Sequence, residues 1–270
     1  ERDSSIEDSI LHGLVAKRKE LSIVFNGYIL VYLLQKDAKE EDFLELKEII
    51  MSGEILYESN YKAIVRHAQN ICIKFINSGQ SSYLSHLFDI YSLGLKFYAL
   101  PGDLSSANFR NILYCALQLE KIDWAESFVE NYHSKVEEAE QENAYNFNYA
   151  RIYFERGEYK LAMRQLLRVT YEDSYYASTG RILLIKCYYE LNDEMPLLSC
   201  CGSLSQFLKR NKEFTKQRVE NNLHFIKYVK NLQKHRLRRD KKFFNTLHEK
   251  ISNSNTVEKE WLLKKIDDLN

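Results

Sequence analysis

The side chains best suited to metal binding or nucleophilic chemistry are the seven histidines and five cysteines, and neither set is grouped in the sequence. A zinc site or a zinc protease needs these residues at short fixed spacing, such as CxxC or HExxH, and both motifs are absent. The vicinal pair Cys200 and Cys201 could respond to oxidants, but Cys201 falls on an apolar helical position typical of a core thiol. We predict no metal, no cofactor and reduced cysteines.

Motifs for phosphate binding and acyl transfer are also missing. The sequence has no GxxxxGK[ST] loop, no GxGxxG turn and no GxSxG elbow. Adjacent acids such as Glu137 and Glu138 lie in charged runs, which are typical of a solvated helix surface. We predict that the protein is not an enzyme, with an active site assembled by the fold from distant residues as the alternative.

Composition indicates a folded helical protein. Of the 270 residues, 45% are hydrophobic and 13% aromatic, whereas 2 prolines and 9 glycines are too few for the many tight turns of an all-β fold. No segment resembles a membrane span or a signal peptide, so we expect a cytoplasmic protein. Because the sequence begins with Glu1, a preceding segment stays an open possibility.

Helical periodicity occurs in units of two helices. In residues 143–167 the first helix is predicted to end at Gly157, which can adopt the left-handed conformation of a helix end, and the small Ala162 allows the second helix to approach closely. The pattern recurs with predicted turns near residues 79, 120 and 192, about one per 35 to 41 residues. This period is typical of helical-hairpin solenoids.

The unit at residues 143–167 resembles a tetratricopeptide repeat (TPR). The resemblance rests on Ala150, Tyr153, the turn signature Gly157-x-Tyr159-x-x-Ala162 and Leu166, and the other units keep parts of it. Residues 119–132, 145–163 and 186–193 are also similar to an uncharacterised bacterial family of TPR-like proteins, which implies no activity. The resemblance implies an all-α, right-handed solenoid of TPR-like helical hairpins, an alpha-alpha superhelix, with a C-terminal helical cap.

Three domains follow from this interpretation. Residues 1–60 form an irregular N-terminal helix pair that continues into the solenoid, and residues 61–210 form four TPR-like hairpins. Residues 211–270 form capping helices, predicted at 211–237, near 240–252 and at 257–269.

Three asparagines share one position of the repeat. Asn70, Asn111 and Asn148 each lie nine residues before a predicted turn. In the TPR proteins that this chain resembles, the matching asparagine faces a concave groove and bonds the backbone of a bound peptide. The alternative is that each amide bonds a neighbouring helix end inside the fold.

Further groove positions on the same frame supply cations and aromatic rings. The candidate groove comprises Asn70, Arg110, Asn111, Tyr114, Asn148, Arg151, Lys186 and Tyr189, with Arg66, Gln69, Ile73, Phe147 and Ile182 as neighbours. The paired lysines of the family's carboxyl-terminus clamp are not reproduced, and Leu183 stands in place of a fourth asparagine. A carboxyl-terminal ligand is therefore not predicted.

Charge is balanced overall, with 38 bases and 38 acids, but it is uneven along the chain. Residues 1–60 hold 13 acids and 7 bases, and residues 227–250 hold 9 bases and 2 acids. The basic region 227–244 interleaves aromatic residues with cations, which is typical of nucleic-acid binders, although a solvated face is the usual meaning of such a run. The candidate basic patch comprises Lys234, Arg236, Arg238, Arg239, Lys241 and Lys242.

The sequence therefore predicts a non-enzymatic scaffold that binds a protein or an extended peptide. The alternative is a regulatory helical-repeat protein that associates with nucleic acid through residues 227–244. Self-association through exposed aromatic residues or the terminal helices is left open.

Overall fold

The computed structural model of the chain describes residues 13–37, 39–54, 58–237 and 240–269. Within these residues the chain is helical and has no β-strand, which confirms the predicted all-α class for the described part. The chain divides into two compact units, Glu1–Gln141 and Glu142–Asn270. The division falls inside the region predicted as four consecutive hairpins, residues 61–210.

The described part of the first unit contains a helical turn at residues 13–16 and six further α-helices. These are α1 (Ile23–Lys36), α2 (Glu40–Ser52), α3 (Glu58–Asn77), α4 (Tyr83–Gly94), α5 (Ser106–Gln118) and α6 (Ile122–Tyr132). Short 3-10 turns lie at Arg18–Glu20, Leu95–Phe97, His133–Lys135 and Glu138–Glu140.

Packing in the first unit joins helices that are consecutive or next but one in the chain. The helices α1 and α2, α3 and α4, and α5 and α6 pack in pairs, and α1 and α2 also contact α3 and α4 respectively. Gly27 lets α1 approach α3 closely, because a Cβ at this position would lie 2.9 Å from Ile64 Cδ1. Leu30, Leu46 and Ile90 lie in the core of this unit with no exposed surface.

The second unit carries the other helices of the described chain. These are α7 (Gln141–Glu155), α8 (Tyr159–Leu166), α9 (Ser174–Glu190), α10 (Glu194–Arg210), α11 (Lys216–His235), α12 (Lys241–Ser252) and α13 (Lys259–Asp267). One apolar cluster joins α7, α8 and α9, and a larger one joins α9 to α13. The long central helix α9 therefore contributes to both clusters.

Four helix ends have the same turn geometry. Gly79, Glu120, Gly157 and Asn192 all have positive φ, between 55° and 95°, and they lie where the sequence pattern predicts turns. In each turn the next residue donates its N–H to the carbonyl five residues back, which is the Schellman motif. The bonds are Gln80 to Phe75 at 3.0 Å, Lys121 to Ala116 at 2.9 Å, Glu158 to Tyr153 at 2.8 Å and Asp193 to Tyr188 at 2.9 Å.

The left-handed turns generate a stability prediction. Gly157→Ala places a Cβ on a residue with φ of +75°, and we expect it to lower the free energy of unfolding by about 1 to 2 kcal/mol. Gly202→Ala is the matched control, because Gly202 lies inside α10 with open space at its Cβ, and we expect a gain of about 0.5 to 1 kcal/mol. Urea unfolding measures both changes, and equal effects would contradict the assignment.

The five cysteines are free thiols. Cys72, Cys115, Cys187 and Cys201 are buried, and Cys200 is half-buried, which agrees with the core position predicted for Cys201. Burial raises the pKa of the four buried thiols to about 12 and that of Cys200 to about 11. Because only the thiolate attacks disulfides, these thiols are poor nucleophiles in the folded chain.

Thiol labelling tests this arrangement. At pH 8 we expect the folded chain to react with a chromogenic disulfide on the order of a hundredfold more slowly than the unfolded chain, with Cys200 reacting first. The same reaction in denaturant should titrate all five thiols. Fast stoichiometric labelling of the folded chain would show that a thiol is activated.

Candidate functional site

An open cleft of about 500 Å³ lies in the first unit. Its walls are α3, the end of α4 with the following 3-10 turn, the loop at residues 98–103, and α5. The predicted groove residues Asn70 and Asn111 lie in this lining together with Arg66, Gln69 and Ile73. The fold therefore brings two of the three repeated asparagines into one concave surface.

Side-chain amides dominate the polar lining. Gln69, Asn70, Asn108 and Asn111 all contribute to it, and Asn111 hydrogen-bonds the buried Tyr91. The side chains of Gln69, Asn70 and Asn108 form no hydrogen bond with another residue in the part of the chain that the structure describes. Each of these amides can therefore donate and accept hydrogen bonds with a ligand.

The charges at the cleft are mainly positive. Lys62 pairs with Glu58 at 2.6 Å, whereas Arg66 forms no ion pair with any described residue. Burial raises the pKa of Tyr98, although the charges of Lys62 and Arg66 act in the opposite direction. The Tyr98 hydroxyl therefore stays protonated at neutral pH and can donate a hydrogen bond beside a free guanidinium.

Hydrogen bonds within the loop and from Lys135 fix the position of the cleft loop, residues 98–103. Asp103 Oδ2 accepts hydrogen bonds from the backbone N–H groups of Ala99 at 2.9 Å and Leu100 at 2.7 Å. Lys135 Nζ donates to the Ala99 carbonyl at 2.6 Å. The Leu100 and Ala99 hydrogen bonds, with the nearby charges of Lys62 and Lys135, lower the pKa of Asp103.

Aromatic rings form the apolar end of the cleft. The rings of Tyr61 and Phe97 lie 5.1 Å apart, and Lys96 Nζ lies 5.1 Å from the centroid of each. Lys62 Nζ lies 5.4 Å from Phe97. This end combines apolar contact area with cations, so it suits a side chain that is apolar or acidic.

Two predicted groove residues of the first unit lie beside the cleft. Arg110 and Tyr114 are on α5 with Asn111, but they are not part of the cleft lining. Tyr114 is nonetheless exposed, and both side chains interact with neighbours. Their contact with a peptide stays a prediction.

Asn148, the third repeated asparagine, has no exposed surface. Its Nδ2 donates to the Ala144 carbonyl at 2.6 Å, and its Oδ1 has no hydrogen-bond partner among the described residues. This bond lies within α7, so the amide does not reach a neighbouring helix end. Because Asn148 is buried, a peptide has no access to it in this structure, and its role as a groove residue stays a prediction.

Lys186 and Tyr189 are covered by the chain's own C-terminal residues. Lys186 Nζ pairs with Glu258 at 2.7 Å, and the Tyr189 ring packs edge-on to Trp261 at 5.3 Å. Burial acts to raise the pKa of Glu258, but the charge and hydrogen bond of Lys186, with the charge of Arg151, lower it overall. Arg151 is half-buried.

The predicted basic patch divides into separate environments. Lys234, Lys241 and Lys242 are exposed, whereas Arg236 is half-buried and donates to the Tyr189 carbonyl at 2.7 Å. Arg238 and Arg239 lie outside the described residues.

Sequence reasoning missed Tyr98, Asp103 and Asn108. Tyr98 and Asp103 lie between helices, and Asn108 lies on the far wall of the cleft; none of them occupies the frame position shared by the three asparagines. The turn sequence Pro101-Gly102 before Asp103 was the available signal for an ordered loop.

The described ranges contain no group of three or more His, Cys, Asp or Glu side chains that could hold a metal ion. No described helix has the length and apolar character needed to cross a membrane.

Comparison with protein-family models, with curated proteins and with solved structures found no match to this chain. The function is therefore inferred from the residues and their geometry.

The lowered pKa of Asp103 generates a pH prediction. Its carboxylate stabilises the cleft loop at pH values above its ordinary pKa of 3.8, and this contribution is lost as the pH falls through the lower native pKa. We expect the amide NMR signals of Ala99 and Leu100 to shift with a midpoint below 3.8. The Asp103→Asn variant should show no such titration, and a midpoint above 3.8 would contradict the lowered pKa.

Proposed function

We propose that this protein is a non-enzymatic scaffold that binds an extended peptide, or an extended segment of a protein, in the cleft of the first unit. The main support is the set of side-chain amides in the cleft that form no hydrogen bond with another described residue, namely Gln69, Asn70 and Asn108. An extended peptide presents donors and acceptors along its backbone, and these amides can pair with both. Arg66 would pair with an acidic side chain of the ligand.

A TPR-like architecture is part of this proposal. We infer that the hairpins belong to a right-handed solenoid, supported by four turns that share one Schellman hydrogen-bond pattern at the predicted positions. We infer a cytoplasmic location and binding without turnover from the sequence, which lacks the motifs for phosphate binding and acyl transfer.

Selection from a displayed library of random peptides tests the cleft. We expect the unmodified chain to enrich extended peptides, and the Arg66→Ala/Asn70→Ala variant to bind them with a Kd about tenfold to a hundredfold higher, as the loss of two hydrogen-bonding side chains predicts. The melting temperature should hardly change, because both side chains are exposed.

Lys74→Ala/Asn77→Ala is the matched control for this experiment. It removes one cation and one asparagine from the same helix at exposed positions outside the cleft lining. The control should bind the selected peptides as the unmodified chain does. Equal binding by the cleft variant, or no enrichment of any peptide, would refute the proposal.

Nucleic-acid association is the second candidate, supported by a row of exposed cations on α11. Lys227, Lys230 and Lys234 are all exposed along this helix, and Lys241 and Lys242 extend the charge onto α12. Binding to phosphates would weaken steeply as salt rises, whereas a peptide held by amides and aromatic rings would depend less on salt.

A further inference from the structure

A second pocket, of about 410 Å³, lies entirely within the second unit. This volume is in the range of small-molecule sites. Ser178, Thr179 and Ile182 of α9 line one side, and the first two turns of α11 line another. Val257 and Glu258, which directly precede α13, complete the lining. Three segments that are distant in the chain therefore meet around one space.

The beginning of α11 supplies the part of this pocket that favours an anion. The first backbone N–H groups of this 20-residue helix have no acceptor within it, and the helix dipole adds positive potential there. Arg218 is exposed and forms no ion pair with a described residue. Its guanidinium lies 4.2 Å from the centroid of the Phe214 ring, which orients it. Arg218 and the Thr215 hydroxyl can both donate hydrogen bonds to a carboxylate.

A buried acceptor without a partner lies one turn further along α11. Asn222 lines the pocket and is only 4% exposed. Its Nδ2 donates to the Arg218 carbonyl at 2.7 Å, whereas its Oδ1 accepts no hydrogen bond from a described residue. This oxygen is not among the unpaired polar atoms that are sealed from solvent, so it is open to the pocket. Because unpaired acceptors in buried side chains are unfavourable, Asn222 favours a ligand that donates to it.

Glu258 adds a negative charge to the same lining. Its Oε2 pairs with Lys186 at 2.7 Å, and its side chain is 37% exposed. Its Oε1 forms no hydrogen bond with another described residue. Thr256 Oγ1 and the Val257 N–H both donate to the Asn221 carbonyl at 3.4 Å, which fixes the chain before Glu258. The carboxylate can therefore accept a hydrogen bond from a cation in the pocket.

We propose that this pocket binds a free α-amino acid with an apolar side chain. Arg218 and the N-terminus of α11 bind the carboxylate, and Asn222 Oδ1 and Glu258 bind the ammonium group. Arg218 and Asn222 are four residues apart and so lie on one face of the helix. This spacing suits a ligand that carries both charged groups on one carbon atom. The side chains of Ile182 and Val257 contact the apolar side chain of the ligand.

Simpler ligands satisfy only part of this lining. An anion without a donor leaves Asn222 Oδ1 unpaired, and an amine without an acid leaves Arg218 without a counter-charge. An amino acid pairs with both. The pocket shares no residue with the cleft of the first unit, so this inference is independent of peptide binding.

Isothermal titration calorimetry of the full chain tests the inference with L-leucine and two matched probes. The compound 4-methylpentanoate lacks the ammonium group of leucine, and 3-methylbutylamine lacks its carboxylate. We expect leucine to bind with a Kd at least about tenfold lower than that of either probe, because each probe loses charge-assisted hydrogen bonds. Equal binding of leucine and one probe would overturn the proposal. So would the absence of binding by leucine, valine, isoleucine, methionine and phenylalanine.

Two substitutions assign the ends of the pocket. Arg218→Gln should raise the Kd of leucine about tenfold or more without changing that of 3-methylbutylamine, which has no carboxylate. Asn222→Leu should weaken leucine without changing the Kd of 4-methylpentanoate, which has no ammonium group. Because Arg218 is exposed, Arg218→Gln should keep its melting temperature, and it decides the question if Asn222→Leu is unstable. Unchanged leucine binding by Arg218→Gln would overturn the proposal.

Lys216→Gln is the matched control. It removes a cation from the same turn of α11, at an exposed position outside the pocket lining, and should bind leucine as the unmodified chain does. A loss as large as that of Arg218→Gln would contradict specific recognition by Arg218. None of these residues lines the cleft of the first unit, so either result leaves the test of peptide binding unaffected.

Discussion

The rest of this structure depends on how the last backbone carbonyls of four helices find hydrogen-bond partners. The last carbonyl groups of a helix have no partner within it, and a buried carbonyl without a hydrogen bond is unfavourable. At Gly79, Glu120, Gly157 and Asn192 the chain satisfies them with one left-handed residue and one bond that reaches five residues back. The shared turn starts the helices that follow α3, α5, α7 and α9 from the same local geometry, so the helix face nine residues before each turn has a common direction relative to that turn.

That face has different neighbours in the two units. In the first unit Asn70 is exposed in an open cleft beside Asn111. In the second unit Asn148 has no exposed surface, and Lys186, further along the same frame, pairs with Glu258. The distance from a shared turn therefore sets the direction of a side chain, whereas the segment packed opposite sets whether a ligand can reach it.

Burial also explains why the two cations on this face behave differently. Arg66 is exposed, so water solvates its guanidinium and no carboxylate is required. Lys186 is nearly buried, and a buried cation needs a paired acid to offset its lost hydration. The carboxylate of Glu258 and the rings of Phe154 and Trp261 provide this environment. A charged site in the second unit therefore helps to determine where the C-terminal helix lies.

The sequence by itself determined the helical class, the four turns and the placement of Asn70 and Asn111 along one surface, because these follow from periodicity and from the conformational preferences of a few adjacent residues. It also placed Cys201 at a core position. Only the tertiary structure decided that Asn148 is buried, that α13 covers Lys186 and Tyr189, and that Tyr98 and Asp103 complete the cleft. These outcomes depend on residues far apart in the chain, and local spacing carries no information about which distant segment fills the space opposite a helix.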